Sequence, residues 1–210
     1  DMDPEGMLTW GFDQLGTMPT IYNYPYYPEH IKAIGGFEVD NKYVENKLMV
    51  PEAVPEKYAK IAAMIQKRYN LHVVKLTKKM VFDEGYGQKI FDLINATYSH
   101  LYGYSQLTQK QINQYIKMYL GMLDLEFVTL IEDWSGDERK LVGAGISMPS
   151  LSIALQKCHR GRMLPFGWWH LLRAIKFHKT KIVDLLLVGI LPESVSYTHL
   201  RAHETGAYLV

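Results

Sequence analysis

Cysteine is nearly absent: the 210 residues hold one, Cys158. That excludes an internal disulfide framework and suits a reducing cytoplasm, the expected location. Net charge is nearly absent too, at +1. No global field therefore draws nucleic acid or an anionic membrane to the chain as a whole. Long apolar runs are missing. The longest, Leu185 to Leu191, is far below the roughly 20 residues that span a bilayer. No basic-then-apolar segment opens the sequence, so no signal peptide is expected. Nothing has the pattern of a Walker loop, a nucleophile elbow or a Cys-x-x-Cys site. The 15 tyrosines are not interleaved with a basic patch, so a nucleic-acid partner is not expected. Short-period repeats and low-complexity segments are also absent.

What is present is an apolar share of 48%, enough for a buried core. The length allows one domain, or parts of two. Residues 1–50 are rich in Gly, Pro and Tyr. Residues 51–70 read as a helical connector, with Tyr58, Ile61, Ala62 and Ile65 on one stripe. From residue 71 the pattern is cleaner. Leu71–Leu76 is a short strand, and Gln88–Leu101 a helix with Ile90, Phe91, Ile94 and Leu101 inward. Thr108 and Gln111 form a capping box for a helix reaching about Leu123. Ile112, Ile116, Tyr119 and Leu120 are its apolar face. Phe127–Asp133 and Leu141–Met148 read as a hairpin around the turn Ser135-Gly136-Asp137. Helical stretches at about 150–158 and 166–178 follow, then a strand at 181–191.

The order β, α, α, β, β, insertion, β resembles the first half of a GNAT-superfamily N-acetyltransferase. Ile131-Glu132-Asp133, a turn and Leu141-Val142-Gly143 look like that family's second and third strands. Asp184 to Glu193 looks like its fourth strand and the proline-acidic exit into the acyl-CoA loop. The chain also resembles a set of bacterial two-domain GNAT-like proteins. That likeness lies in Gly11–Met18, Tyr22–His30 and Met148–Lys157. The resemblance implies an α+β fold with a mixed, largely antiparallel sheet flanked by helices, truncated after its fourth strand. It divides the chain into 1–50, the tail of a preceding GNAT-like domain, the connector 51–70, and 71–193, the N-terminal part of a second domain with an insertion at 149–180. In the preceding tail it implies a helix at about 28–34, the pair Gly36-Phe37 and a strand at about 43–50. The family's tyrosine acid would fall at Lys32 or Ile31, so that role is not carried over. Residues 194–210 are expected to be a non-native tail, because Ser196–Thr205 resembles translated sequencing-adapter read-through, as the start Asp1-Met2-Asp3-Pro4 resembles the middle of a gene.

Function follows as an expectation from the same resemblance. The parent would transfer an acetyl or longer acyl group from acyl-CoA to a small-molecule or peptide amine by direct attack. The alternative is a non-catalytic GNAT-like binding protein, possibly for a fatty-acyl ligand. Such chemistry needs a strand amide for the developing oxyanion, loop amides for the CoA pyrophosphate and a base. The first would fall at Gly189, Ile190 and Leu191. A glycine inside a strand otherwise marks a bulge or a close backbone approach, or is merely tolerated. The second is absent from this sequence. For the base, Glu132, Asp133 and Glu193 are placed suitably, though acids at strand ends are mostly solvated. The insertion, with Trp168, Trp169, Leu171 and Leu172 and a basic end, reads as an acyl-chain lid, a membrane-surface helix or a helix packed on the sheet. Adjacent positions on a helix diverge, so Cys158-His159 is not a thiolate pair. His199 and His203 belong to no H-E-x-x-H motif, and no metal is expected.

Overall fold

A computed structural model describes residues 6–194 except 18, 122 and 159–161. Its helices and strands follow in chain order: α1 Tyr26–Ile34, α2 Glu56–Arg68, β1 Leu71–Lys75, α3 Lys78–Phe82, α4 Tyr86–Tyr98 and α5 Gln109–Tyr115, which widens into a π-helical turn at Ile116–Leu120. Next come β2 Val128–Asp133, β3 Lys140–Pro149, α6 Ser152–Gln156, α7 Gly167–Ile175 and β4 Val183–Ile190. The chain divides into two compact units. One holds Lys57–Pro149 and the chain from Ile182, and the other holds the residues up to Glu56 together with Ser150–Lys181.

The first unit is α+β. Its open sheet runs β1-β2-β3-β4 with every pair antiparallel, so the parallel component of a mixed sheet is not seen among the described residues. Pro149 pairs with Val183, so the insertion leaves and returns at one rung of the ladder. Two bulges interrupt the pairing. Val142 is the extra residue of β3 against β2, and Leu186 the extra residue of β4 against β3. Such bulges sharpen local twist and re-aim side chains.

Alternation sends Val128, Leu130 and Glu132 of β2 to one face. There α4 packs on β3 and β4, with α3 and α5 beside it. Ile90, Phe91 and Ile94 are buried as expected, and Leu120 and Leu130 complete the core. The capping box forms. Thr108 Oγ1 accepts from Gln111 N, and Thr108 N donates to Gln111 Oε1 at 2.9 Å.

Four expectations need correction. Residues 43–50 form no strand and lie exposed. Val44, Leu48 and Val50 have strand-like chemistry, but a lone strand without partners is not stable. Leu101 is exposed because α4 ends three residues earlier. Tyr119 is exposed while its neighbour Leu120 is buried, because the π turn rotates the face that an unbroken α-helix would present. In the second unit, α7 buries Gly167 and Ala174, while Trp168 and Trp169 lie exposed, so the tryptophans are not core residues. The expected tail from residue 195 onward lies outside the described residues, as do His159, His199 and His203.

Candidate functional site

The resemblance puts the expected cofactor contacts, Gly189, Ile190 and Leu191, at the exit of β4. Val188 turns both its backbone groups away from β3. The Tyr98 hydroxyl donates to Val188 O and accepts from Val188 N, each at 3.1 Å. Leu191 N donates the other way, to Val142 O at 2.9 Å. Alternation along an antiparallel strand then directs Gly189 to β3 and the Ile190 amide to the open edge. Of the three positions expected to contact a cofactor, Ile190 alone presents its N–H outward. Burial raises the Tyr98 pKa, against a smaller opposite pull from the Val188 bond, so at neutral pH this residue stays a phenol able to donate.

Gly189 meets α4. A Cβ built at this position would lie 2.7 Å from Thr97 Oγ1. That oxygen is held, because it donates to Leu93 O at 2.8 Å and to Ile94 O at 3.3 Å. The glycine is therefore a close-approach residue that lets the helix end sit on the strand. Beside it an open groove of about 480 Å³ runs between the end of α4 and the exit of β4. His100, Leu101, Val188, Ile190 and Pro192 line it together with Tyr98. Sequence reading misses Tyr98 and His100, since nothing local marks a residue at a helix end as the neighbour of a strand about 90 positions on.

The three carboxylates take different places. Glu132 is not solvated, being only 2% exposed. Its oxygens accept from the Tyr86 hydroxyl and from Trp134 Nε1, the latter at 2.8 Å. The Trp134 ring in turn stacks on His72 at 3.8 Å and lies 4.2 Å from the Arg139 guanidinium. Two strand spacings of about 4.8 Å separate Glu132 from the Ile190 strand, a gap no direct proton transfer crosses. Asp133 accepts from Ser135 Oγ at 2.6 Å and Ser135 N at 2.8 Å, and these bonds hold its pKa down. It closes the turn between β2 and β3. Glu193 pairs with Lys140 at 2.8 Å, and that bond lowers its pKa. None of the three carboxylates lines the groove.

Tyr86 is the structural partner in this group. Its pKa is pushed up to about 12, first by the bond to Glu132, then by burial and the Glu132 charge, with Arg139 opposing. The folded value exceeds the unfolded value of 10.0, so the folded state keeps this proton longer. Stability from this source is complete below pH 10 and declines as pH rises towards about 12. Tyr86→Phe is expected to lower stability at neutral pH by about 2 kcal/mol, because a buried carboxylate loses one of its donors. It is also expected to make the alkaline decline shallower. Urea midpoints measured from neutral to alkaline pH test both.

Two further titratable groups are buried. Cys158 Sγ donates to Ala154 O and Gly167 O, both at 3.2 Å, and is a packed, inert thiol. Asp184 on β4 is buried, and its Oδ2 has no hydrogen-bond partner among the described residues. No family model matches the chain, and no curated protein matches it.

Proposed function

We propose that the sheet unit is part of a GNAT-type, acyl-CoA-dependent N-acyltransferase and that the groove beside β4 takes the pantetheine arm of an acyl-CoA. The observation that carries this reading is the outward Ile190 amide beside an apolar groove, next to a strand bulge. An acyl-CoA would supply an activated thioester whose C–S bond breaks as the amine–acyl bond forms, the thiol leaving with a proton. The Ile190 N–H would donate to the thioester oxygen as charge grows there. Leu101, Val188 and Pro192 would exclude water from the arm. His100, the imidazole on the groove wall, would take the proton that the attacking amine must lose. The acceptor is a small-molecule or peptide amine, and the transferred group acetyl or longer.

A second reading, a GNAT-like protein that binds an acyl ligand without turnover, is favoured by one observation. Glu132, Asp133 and Glu193 are each engaged elsewhere. Both readings use the same groove, and Ile190→Pro tests it. Proline removes this outward N–H without removing a ladder bond, which edge strands tolerate. With pantetheine contacts alone, acetyl-CoA should bind with Kd on the order of 1 mM. The variant should bind about fivefold more weakly, the equivalent of one hydrogen bond. Unchanged calorimetric affinity in a folded Ile190→Pro protein would remove the basis of the proposal.

A further inference from the structure

The second unit contains a helix whose packing is inverted. A surface helix ordinarily buries its large apolar residues and exposes its charges. The helix α7 instead buries Gly167 and Ala174. The inward side is tight, since a Cβ at Gly167 would lie 2.2 Å from Arg162 O. At 100° per residue Trp168, Trp169, Leu172, Arg173 and Lys176 lie opposite Gly167 and Ala174, and Ile175 stands at their flank. Trp168 is 46% exposed and Trp169 43%. The flanking loops add Leu164 and Phe166, at 78% and 72% exposure. Large apolar groups gathered on one exposed patch mark a binding surface rather than ordinary surface scatter.

The stretch of sequence that carries α7 holds charge of one sign. No acidic residue stands between Glu138 and Asp184, while Arg162, Arg173, Lys176, Lys179 and Lys181 fall within that stretch. The chain as a whole is close to neutral at +1, so this is a local concentration. Indoles beside cations are suited to the boundary between headgroups and acyl chains, where the rings enter the apolar side and the cations stay with anionic headgroups. The Trp168 Nε1 already donates to Pro165 O at 3.0 Å, so its ring can leave water without stranding its N–H. No helix among the described residues is long and apolar enough to cross a membrane. With nine residues, α7 fits an in-plane contact.

We propose that the outward face of α7, with Leu164 and Phe166, docks on the surface of an anionic lipid bilayer. The inference does not depend on the acyltransferase reading. It is tested by sedimenting the full chain with vesicles of phosphatidylcholine mixed with phosphatidylserine, and with vesicles of phosphatidylcholine alone. Binding is expected on the mixed vesicles only, weakening as salt rises. Arg173→Gln with Lys176→Gln should weaken it about thirtyfold, from about 1 kcal/mol per cation. Trp168→Ala with Trp169→Ala should weaken it as well, with circular dichroism unchanged in both variants because these side chains are exposed. Equal binding to neutral vesicles, or indifference to both double variants, would overturn the proposal. So would preferential capture by poly-glutamate, which would assign the face to an acidic protein. Self-association lost on replacing the two tryptophans would assign it to a second copy of the chain.

Discussion

Gly189→Ala is expected to destabilise the sheet unit by about 2 kcal/mol, the cost of overpacking a tight contact. In most strand positions the same change is neutral or favourable, since alanine restricts the unfolded chain more than glycine does. Here the new methyl would meet Thr97 Oγ1 at 2.7 Å. That hydroxyl cannot turn aside without giving up its bonds to Leu93 O and Ile94 O. Relief therefore requires either a broken bond or a lifted helix end. Thr97→Ala removes the obstructing oxygen and should cost about 1 kcal/mol by itself. The double variant should then be more stable than the sum of the two single losses predicts, with a coupling of about 1 kcal/mol or more. Denaturant unfolding of the four proteins measures it. Additive effects would show that the helix and strand are not in contact through these two residues.

The second large effect concerns His100. In transfer from S-acetylpantetheine to a primary amine, His100→Gln should slow turnover about a hundredfold, the low end for loss of a general base. This donor lacks the pyrophosphate, so contacts to that group do not enter the comparison. Stability should hardly move, because His100 is exposed at the end of α4. Equal rates in the two proteins would transfer the base role elsewhere. No turnover above the uncatalysed reaction in either protein, together with retained binding, would select the non-catalytic reading.

Legibility in the sequence followed the range of the forces involved. The capping box of Thr108 and Gln111 is a four-residue device and formed as read. The strands Val128–Asp133, Lys140–Pro149 and Val183–Ile190 were marked by dense apolar letters, which are buried for the most part in the two inner strands and left exposed at Val183, Leu185 and Val188 on the edge strand. The stretch at 43–50 carried similar letters without a partner, and pairing is not written locally. The five residues of α3 are too few to show a helical period, although Thr77 caps them by accepting from Met80 N. Glu132 shows the limit most clearly. A glutamate at a strand end reads as solvated, and the donors Tyr86, brought in from α4, and Trp134 make burial tolerable there. The site divides in the same way. Gly189 was legible as an irregularity in a buried strand. The Tyr98 bond that makes Ile190 the outward amide spans 90 positions.

Amide-resolved NMR of the chain titrated with acetyl-CoA tests the central claim most directly. The account predicts a progressive shift of the Ile190 amide, with the Val188 amide responding through the Tyr98 hydroxyl. Leu191, bonded to Val142 O, should move least of the three. The same pattern should appear with S-acetylpantetheine and be absent with an adenosine bisphosphate. No shift at Ile190 at saturating acetyl-CoA, or shifts confined to residues outside the groove, would contradict the account.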